Sequence, residues 1–391
     1  MTRPLVVIFL TIFVNLVGFG IIIPLLPFYA TRFGASPIVI GAMFASFSVA
    51  QLVASPVLGD LSDRYGRRPV LVFSLAGTVL SFVMLALAHS VVMLFLARIV
   101  DGLSGGNIST ARAYVADITE PKDRARAFGL LGAAFGLGFI FGPAISGVLA
   151  HVSYTAPIWA AAGLTLVATF MALLWLPETV HRAQAGTGNP LRYLPGLLRR
   201  PLVRRVLLVD FLYWFTFSIF QATFALFVAQ RFHFDAGQTG YLFAGFGVIG
   251  VFIQAACIRP IVRRLGDKST LMLGLSFVAL GLAGTAISHT LGQFLAAMTV
   301  LSFGMGCGQP TILSLVSRAG SRDEQGRVQG AASAVESLSR TVGPVWGTFS
   351  LQRYGESMPY VSAAILALVT LSLSAGYPVP STDAPPTPLS Q

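Results

Sequence analysis

Residues 59–68 read Gly59-Asp60-Leu61-Ser62-Asp63-Arg64-Tyr65-Gly66-Arg67-Arg68, placing five charges in ten positions of a chain that is only 10% charged. On either side the chain turns apolar. Residues 38–58 and 70–88 carry no Asp, Glu, Lys or Arg, and each is close to the roughly 20 residues that a bilayer-spanning helix needs. The charged decapeptide therefore reads as a tight turn outside the membrane between two spans. Gly59 permits close packing and Gly66 a tight turn. Asp63 is placed to reach the positive N-terminal end of a helix elsewhere in the molecule.

The same alternation runs through the whole chain. Its 391 residues are 55% hydrophobic with a mean hydropathy of +0.76, whereas soluble domains run near 25% charged. Hydropathy and breakers together predict spans near 5–29, 38–58, 70–88, 91–116, 127–150 and 155–176, and again near 204–229, 239–260, 269–288, 291–316, 327–350 and 358–377. Most are apolar all round with Gly and Pro inside, which membrane helices tolerate. The expected fold is an all-α integral membrane protein of twelve transmembrane helices. Residues 1–176 form one six-helix bundle, 177–203 a cytoplasmic linker, 204–378 a second bundle and 379–391 a disordered tail. The N-terminal apolar run is too long for a signal peptide and reads as the first span.

The two bundles echo each other. A shift of 200 lays residues 59–71 over 259–271, matching Arg64 with Arg264, Gly66 with Gly266 and Leu71 with Leu271. A shift of 201 matches Arg126, Gly129 and Gly142-Pro143 with Arg327, Gly330 and Gly343-Pro344. Such pseudo-symmetric six-helix repeats hold substrate between the halves near the bilayer midplane.

The net charge of +11 would suggest nucleic acid in a soluble protein. Here, of the 26 Lys and Arg, 20 fall in one alternating set of loops and three (Arg32, Arg231, Arg353) in the other. That bias places both termini in the cytoplasm and leaves no basic face for nucleic acid. The 24 Arg against two Lys suit a GC-rich bacterium, so a bacterial inner membrane is the expected location. Cys257 and Cys307 lie in apolar segments and offer no disulfide or zinc spacing. No nucleophile–base constellation or phosphate cradle is present, so no enzymatic reaction, cofactor or metal is expected.

Charges inside spans are costly and default to function. Arg98 and Asp101, three apart, can pair on one helix face, as can Glu336 and Arg340, four apart. Arg112 lies eleven residues beyond Asp101 and returns to nearly the same face of an unbroken helix. Asp210 sits one or two turns into its span, within reach of the interface. These six are the candidate proton-coupling residues. The five His all fall at helix ends or in loops, which argues against a buried His relay. Asn15, Gln221, Gln254 and Gln309 are neutral polar groups within spans. With Phe residues, Trp214 and Trp346, they could line a cavity for a large, partly apolar ligand.

Residues 59–68 resemble the signature loop of the major facilitator superfamily. The similarity extends over about 5–378 and is greatest to the drug/proton antiporters, among them the tetracycline/proton antiporters. It is carried by RIVDGLSGG (98–106), YVADIT (114–119), RARAFG (124–129), GLGFIFGPAISG (136–147), RFHFDA (231–236), LMLG (271–274), and QGRVQG with VGP (325–344). The resemblance implies alternating access by rocking of the two halves. Gly59, Asp60, Asp63, Arg64, Gly66, Arg67 and Arg68 would form a gating latch, with Asp117 joining the charges of Asp63 and Arg64. Gly138, Gly142, Pro143 and Gly147 resemble the antiporter motif of the fifth helix, a close-packed hinge and seal. The Arg98 position matches a fourth-helix Arg implicated in proton transfer. One departure stands out: the tetracycline antiporters carry an acidic residue where this chain has Asn15, and Asn releases no proton. Coupling would then fall to Asp101 or Glu336.

The expected activity is efflux of amphipathic small molecules or drugs in exchange for protons, by a monomer in the lipid bilayer. The alternative is a facilitative transporter or proton symporter of a sugar, amino acid or other metabolite.

Overall fold

The computed structural model describes residues 3–105, 107–120, 123–179, 196–319 and 325–376. The middle of the expected linker and the expected C-terminal tail lie outside them. The N-terminal half of the chain contributes α1 (Arg3–Thr31), α2 (Pro37–Tyr65), α3 (Arg67–Ala86), α4 (Val91–Ser104), α5 (Asn107–Ile118), α6 (Arg124–Ala150) and α7 (Ala156–Trp175). The C-terminal half contributes α8 (Pro201–Phe232), α9 (Ala236–Phe252), a π-turn (Ile253–Cys257), α10 (Ile258–Ile287), α11 (Leu291–Arg318), α12 (Gln325–Tyr354) and α13 (Met358–Ala375).

Helices dominate because an apolar solvent leaves backbone N–H and C=O groups no partner but each other. Among the described residues, nine helical stretches are long and apolar enough to cross a membrane, and one of them, Ala236–Ile287, runs for 52 residues, enough for two crossings. Gly266 breaks it with φ +76°, at the position matching Gly66 with φ +108°. With α4–α5 and the more polar α12 added, the helices are consistent with twelve crossings.

Two spans differ from expectation. The fourth is not one helix: α4 ends at Ser104, and the Gly105 carbonyl freed by the break accepts a hydrogen bond from Gln51 Nε2 at 3.1 Å. That satisfies a polar group which would otherwise be stranded at a helix end. The second is the eighth span, whose C-terminal part is wound as the π-turn.

The molecule has two ends. At the loop end lie the 59–68 turn, the C-termini of α5 and α7, and Gly266; at the far end lie the turns near 32–36, 151–155, 233–235 and 355–357. The far end is strongly tied. Asp235 and Thr290 each form a capping box with the Gln three residues on, at the starts of α9 and α11. Arg231 joins Glu356 at 2.5 Å, the Ser288 carbonyl at 2.9 Å and Ser357 Oγ at 2.9 Å. Together these contacts lace α8 to the starts of its neighbours.

The two halves of the chain meet along two seams, α2 with α12 and α6 with α9. Gly41 packs on the Pro344 carbonyl, and the Ile38 amide donates to Gln352 Oε1 at 3.1 Å. On α6, a Cβ at Gly147 would lie 3.0 Å from the Gly237 carbonyl and one at Gly136 2.9 Å from Val251. Gly132 and Gly129 precede Gly136 by four and seven residues and so share its face, yet both look onto open space. The α6–α9 seam is therefore closed towards the far end and splays open towards the loop end.

Candidate functional site

The 59–68 turn is built around Arg67. Gly66, with its positive φ, turns the chain so that α3 starts immediately at Arg67, and a glycine has no side chain to cap that start. Glu178, just beyond α7, does so instead: its two carboxylate oxygens accept the backbone amides of Arg67 (2.8 Å) and Arg68 (3.2 Å). An anion here also meets the positive end of the α3 dipole. The Arg67 side chain pairs with Asp63, with Asp117 at 3.1 Å and with Ser62 Oγ at 3.1 Å.

This corrects two expectations. Asp117 joins Arg67 and Thr179 rather than Arg64, which turns outward to Asp60 at 3.0 Å with two-thirds of its side chain exposed. Asp63 is engaged by Arg67 within its own half rather than by a helix end of the other. The counterpart in the C-terminal half has its charges exchanged. There the acid, Asp267, follows the turn glycine, and the base, Arg318, ends the partner helix α11, 3.1 Å away; Ser314 Oγ donates to the same Asp267 oxygen at 3.1 Å.

The intramembrane charges fall into two sets. Arg98 and Asp101 pair at 2.7 Å, 2% and 6% exposed, with the guanidinium carbon 4.3 Å from the centre of the Phe47 ring. Both the acid and the ring belong to the N-terminal half. The second set joins the halves. Arg112 is exposed on α5 and lies within electrostatic reach of Glu336 and Arg340 on α12. It does not extend the Arg98–Asp101 face, because the break at Gly105 ends the helix that would have carried it there. Glu336 and Arg340 pair loosely at 3.9 Å, and the Arg340 guanidinium lies 5.6 Å from the Trp214 ring.

Asp210, within reach of the same two charges, is 1% exposed, with a buried Oδ2 that has no hydrogen-bond partner. It does not snorkel to the interface as its place in the sequence suggested. The packing of α12 on α8, including Ser339 Oγ donating to the Phe211 carbonyl at 2.9 Å, encloses it.

In the antiporter-like run, Gly138 packs on Leu16 and Gly142 on Val17 and Gly20 of α1, while Pro143 and Gly147 face Gly240 across the seam. Small residues thus let α6 approach both neighbours at backbone distance. Asn15, Gln221, Gln254 and Gln309 make no hydrogen bond with any described residue, and Gln254 sits on the π-turn. Sequence reasoning missed Glu178. The signal was present, since a helix beginning directly after a glycine lacks its own cap.

The family model of the Major Facilitator Superfamily matches residues 8–344, and again 206–388. The chain is 33% identical to the class G tetracycline resistance protein of Vibrio anguillarum, over 88% of this chain and 89% of that one. It is 28% identical to multidrug resistance protein 1 of Bacillus subtilis, covering 96% and 97%. Among solved structures, the human organic anion transporter MFSD10 (TETRAN) is similar at TM-score 0.73 and 26% identity, covering 95% and 99%. The nucleoside transporter NupG matches at TM-score 0.78 with 14% identity, covering 96% and 98%, a likeness of fold alone.

Proposed function

Because the chain belongs to the Major Facilitator Superfamily, we propose that it exports amphipathic small molecules or drugs in exchange for protons, by alternating access, and catalyses no chemical reaction. Its relatives include tetracycline and multidrug resistance proteins, which favours efflux over uptake. We place it as a monomer in a bacterial inner membrane, with both termini and the linker cytoplasmic, so the loop end faces the cytoplasm. Residues 1–176 and 204–378 then act as the two rocking bundles. Asn15, Gln221, Gln254 and Gln309 would line the substrate cavity between them.

The observation that carries the coupling proposal is the charge cluster contributed by both halves. Arg112 stands on one half; Glu336, Arg340 and the half-satisfied carboxylate of Asp210 stand on the other. Rocking of the halves changes the distance from Arg112 to the carboxylates, and a carboxylate losing a nearby cation holds a proton more readily. The Arg98–Asp101 pair lies within one half and moves as a unit, so it organises that bundle. Protons taken up from outside would be released when the halves return to the arrangement seen here.

The test is ethidium transport in proteoliposomes under an imposed pH gradient. Gradient-driven transport should be lost in Glu336→Gln and Asp210→Asn while Asp101→Asn, if folded, keeps some coupling. Transport that proceeds without a gradient, and is equally fast in both cleft variants, would overturn the antiport reading and favour a facilitative carrier.

A further inference from the structure

A cavity of about 370 Å³ lies at the far end, away from the intramembrane charge cluster. It is walled by both halves: Pro27, Phe28, Thr31 and Arg32 from the end of α1 and its turn, Tyr154 from the α6–α7 turn, and the Ala225–Gln230 stretch of α8. Its volume is within the range of small-molecule sites, which are mostly apolar with a few placed polar groups.

The decisive group is Arg32. Its guanidinium carbon lies 4.6 Å from the centre of the Tyr154 ring, a cation–π contact that uses the face of the group and leaves its N–H donors available. Arg32 makes no hydrogen bond or ion pair with any other described residue. Arg231, also at this end, differs: Glu356, Ser288 and Ser357 occupy it. No acidic side chain lines the cavity. Asp235 is engaged in capping α9 and Glu356 in pairing with Arg231. The cavity thus offers a cation with unspent donors, the free amide of Gln230, and apolar walls from Phe28, Leu226 and the alanines.

We propose that this cavity is a binding site for small aromatic carboxylates entering from the far side. The carboxylate takes the open edge of the Arg32 guanidinium as a two-pronged hydrogen-bonding partner, and the ring lies between Phe28 and Leu226. A ligand so placed touches α1 and Tyr154 on one half and α8 on the other, and therefore holds the halves in the arrangement closed at the far end. The site is separate from the charge cluster in the cleft and its occupancy requires no transport.

The experiment is equilibrium binding of 2-naphthoate to the purified full-length protein, with neutral 2-naphthamide as the charge control. Saturable naphthoate binding is expected, weakened roughly tenfold or more in Arg32→Gln and by a similar loss of the carboxyl charge in naphthamide. Arg353→Gln, which removes another far-end arginine outside the cavity, should bind as the parent does. Three results overturn the proposal: no saturable binding to the parent, equal binding by Arg32→Gln, or loss of binding in Arg112→Gln with Arg32→Gln unaffected. The last would put the ligand in the cleft.

Discussion

Replacing Gly240 by alanine tests whether the α6–α9 seam sets the conformational balance. A Cβ at Gly240 would lie 2.7 Å from the Gly147 amide nitrogen and Cα and from the Pro143 carbonyl oxygen. Ordinary contact begins near 3.4 Å, so the methyl intrudes by about 0.7 Å. All three atoms belong to the α6 backbone or are fixed to it, so no rotamer change relieves the clash and the helices must part at the far end. Overpacking of this kind costs about 1–3 kcal/mol. The cost applies only to the state in which the far end is closed, so it shifts the balance towards the opposite state by roughly 5- to 150-fold.

Pulsed electron–electron resonance can read that shift. Spin labels at Tyr65 and Arg263, one on each half at the loop end, would be placed in a Cys257→Ala, Cys307→Ala background. Gly240→Ala should move the distance distribution to shorter values as the loop end closes. Gly163→Ala on α7, where a Cβ meets nothing within 4 Å, should leave it unchanged. An unaltered distribution in a folded Gly240→Ala protein would refute the claim that this backbone contact holds the far end shut.

Two further outcomes follow from the ends of the molecule. Glu178→Ala strips the cap from α3 and should cost about 1 kcal/mol, read as a lower thermal midpoint of purified protein; an unchanged midpoint would mean that water replaces the carboxylate without loss. In intact cells, a membrane-impermeant maleimide should modify a cysteine replacing Arg353 but reach one replacing Arg264 only after permeabilisation, and the reverse pattern would invert the assigned orientation.

Spacing alone made the helices and the 59–68 turn legible, because apolar length and clustered charge report directly on the membrane. The partners within the turn were harder to read. Whether Asp117 meets Arg64 or Arg67 depends on the positive φ of Gly66, which decides the side chain that begins α3 and points back. Extrapolating the Asp101 face to Arg112 assumed an unbroken helix, and the end of α4 at Ser104 defeats that assumption. Asp210 looks interfacial by position along α8, but its burial is a property of α12 packed beside it, and no local pattern encodes a neighbour 130 residues away. Arg98 and Asp101 were readable because both partners lie on the same turn of one helix.

The π-turn at Ile253–Cys257 falls where the two halves differ in length by one residue. Gly34 and His233, which follow α1 and α8 with positive φ, are 199 positions apart, and so are Ser36 and Asp235, the residues preceding α2 and α9. Gly66 and Gly266 are 200 apart. The stretch from Ala236 to Gly266 is therefore one residue longer than its match, and a π-turn is where a helix stores a single extra residue without breaking. Because the wider turn absorbs the surplus, the residues after Cys257 keep the facing of their counterparts in α2, where an unabsorbed extra residue would turn them by about 100°. The two halves thus reach their turn glycines with matching faces despite the difference of one residue. Removing one residue from 253–257 would restore a continuous α-helix to the Gly266 turn and make the two halves equally long over this stretch.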